Sequence, residues 1–178
     1  MSTEVKEATM SVEEQNRLRF RDAMASLPAS VNIVTTQGSA GRCGITATAV
    51  CSVTDTPPTL LVCINNRSAM VPVFEENGRM CVNVLNHQQE EMARHFAGMT
   101  ELSMEQRFKL DGWREGQLSQ PVLQQALASL EGNIQQIQTI GTHRVYLLEI
   151  KHITLASEGH GLIYFKRKFH ATPHEETV

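Results

Sequence analysis

The chain has 178 residues, enough for one domain with a substantial hydrophobic core. Hydrophobic residues make up 41% and charged residues 20%, as in ordinary soluble globular proteins. The formal net charge of -3 gives no electrostatic reason to expect nucleic acid or an acidic membrane as a partner. We predict one domain over residues 1–178, with its core from about 20 to 170 and polar tails at both ends.

The first predicted element is a helix. Ser11, with Glu14 three residues later, forms a capping-box pattern, and Pro28 is expected to end the helix. Its apolar side consists of Leu18, Phe20, Met24 and Leu27. The segment before it is polar and lacks the apolar run of a signal peptide, so we expect a cytoplasmic location.

Strands follow, because the apolar period changes to two at Ser30. This first strand is followed by further strands predicted over 43–53, 59–64 and 79–85, with turns over 37–42 and 55–58. The loop 65–68 leads into a short helix, with Ser68 as its N-cap and Asn77-Gly78 as its end.

The second half of the chain contains two more helices and a long hairpin. Helices are predicted over 88–97, with Gly98 as C-terminal cap, and over 101–110. Long strands are predicted over 128–138 and 143–156, and a short one over 162–165 before a basic stretch. Since strands dominate and are joined by short turns, the pattern predicts a β-barrel with flanking helices, of the α+β class.

Several common sites are missing from the sequence. There is no G-x-G-x-x-G fingerprint, no phosphate-binding P-loop and no Cys-x-x-Cys pair, so neither a Rossmann site nor a zinc site is expected. Cys43, Cys51, Cys63 and Cys81 are expected to be small hydrophobes in a reducing compartment. Pro173 separates His170 from His174, and no metal site is predicted.

The segment 44–53 carries the strongest functional signal. In a continuous strand, Ile45, Ala47, Ala49, Cys51 and Val53 would share one side, and Thr46, Thr48, Val50 and Ser52 the other. Small hydroxyl residues let a flat ligand approach the backbone, but the same alternation is typical of ordinary cross-strand packing.

Three further features each have a functional and an ordinary structural interpretation when taken alone. Arg67 and Ser68 before a helix suit a phosphate, but also an exposed arginine and a helix cap. His143 could contact a ring carbonyl or satisfy a turn. The basic run 166–168 could steer phosphates or form a solvated face.

The run 44–58, continued through 60–65, resembles the signature of the flavin reductase family, which has the split-barrel FMN-binding fold. The resemblance extends from about residue 20 to 170 and includes 82–87, 92–99 and 159–166. It implies a homodimer with a flavin pocket beside the dimer interface. It also implies an NADH-dependent enzyme that reduces free FAD or FMN, and a partner oxygenase that receives the reduced flavin.

The resemblance also assigns roles to residues. The flavin would contact Thr46, Ala47 and Thr48, with Ser52 and Val53 beside the ring or ribityl chain. The phosphate would meet Asn66, Arg67 and Ser68, with Asn32 and Lys166 as further candidates. His143 matches the histidine of a Gly-Asp-His motif near flavin and nicotinamide and is the predicted catalytic residue. Thr142 replaces the aspartate of that motif, and Met70 replaces a threonine common in the phosphate loop.

Alternative functions remain open at this point. Within the family, the partner oxygenase could act in aromatic catabolism, which we favour, or in pyrimidine degradation. Outside it, the chain could be a non-catalytic flavin- or haem-binding module on a similar barrel. A structural or regulatory dimer without a pocket is disfavoured by the intact Thr46, Thr48 and Ser52.

Overall fold

The structure, a computed structural model, describes residues 9–173. The helices in this range are α1 (Val12–Met24), α2 (Val71–Asn77), α3 (Glu90–Phe96) and α4 (Met104–Lys109). The strands are β1 (Ala29–Ser30), β2 (Asn32–Gly38), β3 (Gly41–Ala47), β4 (Val50–Asp55), β5 (Pro58–Asn65), β6 (Arg79–Val84), β7 (Trp113–Glu115), β8 (Pro121–Leu123), β9 (Ala128–Ile140), β10 (His143–Leu155), β11 (Leu162–Phe165) and β12 (Lys168–Ala171). A 3-10 turn at His87–Gln89 precedes α3.

Seven antiparallel strands form the main sheet in the order β3-β2-β6-β9-β10-β5-β4. The two edge strands, β3 and β4, are joined by only Thr48 and Ala49. A flat sheet with about 4.8 Å between strands would separate its edges by about 29 Å. Three residue steps span at most about 11 Å. The sheet must therefore curl until its edges meet, and the predicted barrel is confirmed.

The junction of β3 and β4 corrects the prediction of one continuous strand over 43–53. Thr48 and Ala49 leave the sheet, and the Val50 amide donates to the Thr48 carbonyl at 2.9 Å. As a result, Ala47 and Val50 both pack against the core, although strict alternation placed them on opposite sides. A bulge between Ser52 and Thr54 shifts the register again.

The core has two parts, on the two faces of β2. Val34 belongs to a cluster with Phe74 of α2 and with the central strands. Val31 and Ile33 face the other way and belong to a cluster with α3, α4 and β11. Because both faces of β2 are covered, its residues from Asn32 to Thr36 are all buried, where a strand with one solvated face would bury every second residue.

Helix α1 begins as predicted, since the Ser11 hydroxyl accepts a hydrogen bond from the Glu14 amide at 3.1 Å. Its apolar side is nevertheless exposed within the single chain, and no residue of α1 is buried. Leu18, Phe20, Met24 and Leu27 are all exposed, with Phe20 at 64%. Among residues 9–173, no helix combines the length and apolar character that crossing a membrane requires.

The predicted N-cap of α2 is wrong. The helix begins at Val71 with Met70 as its cap, and Ser68 instead accepts a hydrogen bond from the Met70 amide at 3.3 Å. The predicted end is confirmed, because Gly78 adopts a left-handed φ of 69°. The basic stretch after β11 is a hairpin turn, with Lys166 and Arg167 both at positive φ.

Candidate functional site

The junction between β3 and β4 brings several predicted residues together. Asn32 lies opposite Ala47 in the β2–β3 ladder, and its Nδ2 donates to the Ala47 carbonyl at 3.1 Å. The Asn32 side chain is fully buried, and its Oδ1 has no hydrogen-bond partner among the described residues. A buried acceptor without a partner is a place where a ligand donor can bind.

The threonines at this junction differ in availability. The Thr46 hydroxyl donates to the Ala93 carbonyl of α3 at 2.7 Å, so its oxygen can only accept from a ligand. Thr48 is exposed, whereas Ala47 packs against the core. Of the two threonine hydroxyls, one is therefore exposed and the other is left as an acceptor, while Ser52 further along the strand is also exposed.

The loop 65–70 after β5 lies beside this junction, since the Cys63 amide donates to the Ala49 carbonyl at 3.0 Å. Arg67 is exposed and forms no ion pair with the carboxylates of residues 9–173. Asn66 Oδ1 is buried without a partner in the same range. The Ser68 hydroxyl accepts from Met70, which leaves its own hydrogen to donate. The Arg67 cation and the Ser68 donor suit a phosphate, whereas Asn66 Oδ1 is an acceptor and requires a donor group.

The β9–β10 turn holds this loop in place. The Asn66 amide donates to the Thr142 carbonyl at 2.9 Å, and Asn66 Nδ2 donates to the Gly141 carbonyl at 3.3 Å. His143 lies opposite Asn65 in the β5–β10 ladder and is exposed. Its Nδ1 contacts the Thr142 hydroxyl at 2.9 Å, so Nε2 is the ring nitrogen left for a ligand.

The remaining candidates lie further away. Ser52 is opposite Leu60, further along β4, and Val53, 52% exposed, lies in the bulge. Lys166 lies in the β11–β12 turn at the end of α1, where its Nζ donates to the Ser26 hydroxyl at 2.6 Å. The structure therefore groups the candidates at 32, 46–48, 66–68 and 143, places 52 and 53 along the same edge, and sets Lys166 apart.

Two residues that the sequence did not indicate support this region. Glu75 on α2 accepts from Arg144 Nε at 2.9 Å and from the Tyr146 hydroxyl at 3.3 Å. Arg144 directly follows His143, but 69 positions separate it from Glu75. Because no local pattern relates residues so far apart, only the fold brings them together.

A large cleft among residues 9–173 lies away from these residues. It has a volume of about 1160 Å³ and is bordered by Asn86, His87, Arg114 and the segment 154–160. None of the predicted site residues lines it. It lies at the end of β10 opposite His143.

The cysteines lie as expected except for one. Cys43 and Cys81 are buried, and burial raises the pKa of the Cys43 thiol to about 12. Cys51 is exposed, because the strand break turns it away from the core. Its neighbour Cys63 is partly buried, and burial raises the pKa of that thiol too. All four are free thiols.

Comparison with known proteins connects this geometry to a family. Residues 24–173 match the model of the flavin reductase like domain. The chain is 71% identical over 161 residues to the 4-hydroxyphenylacetate 3-monooxygenase reductase component of Escherichia coli, covering 90% of this chain and 94% of that one. It is 46% identical over 166 residues to the FMN reductase (NADH) RutF of Escherichia coli O1:K1 / APEC, covering 93% and 85%.

The fold is also similar to that of a solved structure. The fold is similar, with a TM-score of 0.83 and 27% identity, to an NADH:FAD oxidoreductase of Streptomyces globisporus C-1027 in complex with NAD and FAD fragments. The similarity covers 95% of this chain and 100% of that one.

Proposed function

Because this chain belongs to the flavin reductase family, we propose that it uses NADH to reduce free FAD or FMN and releases the reduced flavin to a partner oxygenase. The chain is an enzyme, the reductase part of a two-component monooxygenase. The observation that carries the proposed site is the group formed by Arg67, Asn66 and Asn32. Within residues 9–173 it offers one cation without an ion pair and two buried acceptors without hydrogen-bond partners.

These residues fit a flavin by chemistry. Arg67 and the Ser68 hydroxyl supply the positive charge and the donor that a phosphate requires. Asn32 Oδ1 and the Thr46 oxygen are acceptors, as the N–H group of a flavin ring requires. The side chain of Ala47 beside them is small and packs against the core, so it does not project toward a flat ring that lies along the strand.

The side chains take little part in the hydride transfer itself. Hydride transfer from nicotinamide to flavin is chemistry that the two cofactors supply themselves. The residues of this chain bind, orient and exclude water: Arg67 and Ser68 hold the phosphate end, and Asn32 and Thr46 fix the ring edge. His143 Nε2 can donate a hydrogen bond to a ring or amide carbonyl, which stabilises developing negative charge. This division of labour agrees with the lack of an acid–base pair among the grouped residues.

We treat the flavin as a substrate. Arg67 and Thr48 are exposed and the other contacts are neutral, which suits moderate affinity and exchange. NADH oxidation should therefore require added flavin and saturate with it. A purified protein that kept stoichiometric flavin through dialysis, and turned over without added flavin, would refute this part of the proposal. A protein that binds flavin but never oxidises NADH would instead be a binding module.

We further propose that two copies form a homodimer through α1. An isolated helix of 13 residues is marginal in water, yet α1 buries none of its own residues in the single chain. It is attached by polar contacts, including Arg167 to Asp22 at 2.6 Å, while Phe20 and Leu27 stay exposed. A second copy would cover this apolar side. Phe20→Glu should give a monomer by light scattering, whereas Arg19→Glu, without an apolar contact to lose, should remain dimeric.

For the partner, we propose an oxygenase that hydroxylates 4-hydroxyphenylacetate, because the relative at 71% identity is the reductase component of such an enzyme. The relative named RutF, at 46%, supports a pyrimidine-pathway partner less strongly. Product formation by each oxygenase with this reductase separates the two. Free thiols throughout agree with the proposed cytoplasmic location.

A further inference from the structure

We infer that Glu75 and Arg144 are positioning residues that fix the phosphate loop, 65–70, against the turn that carries His143. The inference rests on the proposed function, since it assigns a role within the same site. Glu75 lies on α2 directly after the phosphate loop, and Arg144 lies on β10 directly after His143. Their ion pair, with Arg144 Nε 2.9 Å from Glu75 Oε1, joins the two elements.

The contacts form a closed ring. On one side, the Asn66 amide and Nδ2 bond to the carbonyls of Thr142 and Gly141. On the other side, the chain runs from the loop into α2, whose Phe74 is fully buried in the core. Glu75 then returns to β10 through Arg144. The β5–β10 ladder and the buried Phe74 hold the two ends of the loop, and the Asn66 and Glu75 contacts add two attachments to β10 and its turn. Loss of the Glu75 attachment removes the polar contact between α2 and β10 that fixes the angle at which the loop meets His143.

Glu75 has a second donor that keeps it in place. The Tyr146 hydroxyl is 3.3 Å from Glu75 Oε1, and the Tyr146 residue is fully buried. Burial and the nearby Glu75 carboxylate raise the pKa of Tyr146, so this phenol stays protonated and donates. Arg144 also reaches the Thr139 hydroxyl on β9. The guanidinium thus spans three elements, which a lysine ammonium, as a single compact charge, cannot do in the same way.

The ion pair as a unit adds no net charge to the site. Glu75 neutralises Arg144, so Arg67 is the cation of this region that has no carboxylate partner among residues 9–173. The pair of Glu75 and Arg144 therefore acts on position alone. It affects how well the loop meets a phosphate and does not supply the charge itself. Flavins with and without a phosphate therefore distinguish this role from a general loss of stability.

The test compares steady-state NADH oxidation with FMN and with riboflavin in the full chain, with melting temperature measured for each variant. Glu75→Gln and Arg144→Lys should each raise KM for FMN by about three- to tenfold and leave KM for riboflavin within about twofold, as expected for loss of one partly buried ion pair. The double variant Glu75→Gln/Arg144→Lys should be no worse than either single one. The matched control is Glu105→Gln, which breaks the exposed pair with Lys109 on α4 and should change neither KM.

Arg67→Ala serves as the reference, since it removes the proposed phosphate contact directly. If Arg67→Ala raises KM for FMN selectively and the Glu75 and Arg144 variants do not, the positioning role is refuted while the site stands. If those variants raise KM for both flavins equally, they act through general stability and the inference is also refuted. If Arg67→Ala leaves KM for FMN unchanged, the proposed phosphate site and the positioning role of Glu75 and Arg144 are both refuted.

Discussion

Replacing Thr46 with valine tests how the β3 edge meets the flavin. Valine keeps the shape of the side chain and removes the hydroxyl, which donates to the Ala93 carbonyl at 2.7 Å. That carbonyl keeps a second partner, because it also accepts from the Ala97 amide at 2.9 Å. The expected cost is therefore that of one hydrogen bond, about 1 kcal/mol. In a chain of this size it lowers the melting temperature by about 2–4 °C.

The same change should weaken flavin binding. Since the hydrogen of Thr46 is donated to Ala93, its oxygen can only accept from the ring, and valine removes that acceptor. The ring is common to all flavins, so KM should rise by about fivefold for FMN and riboflavin alike, the value of one neutral hydrogen bond. Thr46→Ser, which retains the hydroxyl, should keep both the melting temperature and KM near the original.

Thr35→Val is the matched control. Thr35 is fully buried and donates to the Pro121 carbonyl at 2.6 Å, away from the proposed site, so this variant should lose stability without a change in KM. If Thr46→Val lowers the melting temperature but leaves KM unchanged for every flavin, Thr46 only attaches β3 to α3. The reasoning that places the ring at this edge would then be wrong.

Three further outcomes follow from the geometry. His143→Gln should lower kcat by at least about tenfold at saturating FMN and NADH, because the exposed ring is proposed to stabilise developing negative charge. The melting temperature should stay within about 2 °C. An unchanged kcat would refute the proposed role of His143. Gly132→Ala should cost about 3 kcal/mol or more in urea unfolding, since an added Cβ would lie 2.4 Å from the Glu149 carbonyl oxygen and force β9 from β10; normal stability would contradict this register. Burial raises the pKa of Cys43 from 9.0 to about 12, so the folded chain retains a proton that the unfolded chain loses in this window, and stability falls as pH rises from about 9 to 12. In Cys43→Ala the decline of the unfolding free energy should be shallower; an identical slope would refute the assignment.

Much of the barrel follows from local sequence. Period-two alternation identified the strand that begins near Ser30, and apolar runs between turn residues identified those around 59–64 and 79–85 and the long hairpin. Gly78 and Ser11 marked helix ends because each acts within one turn of chain. The strand break at Thr48–Ala49 was missed, since it exists only because β3 and β4 become opposite edges of a closed sheet. The short strands β7 and β8 were also missed, because three residues are too few to show a period.

The site residues, too, were predicted where their signal is local and missed where it depends on tertiary contacts. The motif around 46–48 and 66–68 was visible in the sequence, and the fold brings these segments to one edge. Its supporting contacts were not visible, because Asn32 to Ala47 and Glu75 to Arg144 are tertiary. Ser68 was misjudged as a helix cap because a serine before a helix looks the same whether it caps the helix or forms a turn with Met70.

The most direct test of the central claim is NADH oxidation, followed by its absorbance, with purified protein and added FAD, added FMN or no flavin. The account predicts turnover that depends on added flavin and saturates with its concentration, and that is weakened for FMN in Arg67→Ala. A lack of oxidation with any flavin and either nicotinamide nucleotide would contradict it and leave the chain as a flavin-binding protein without this activity.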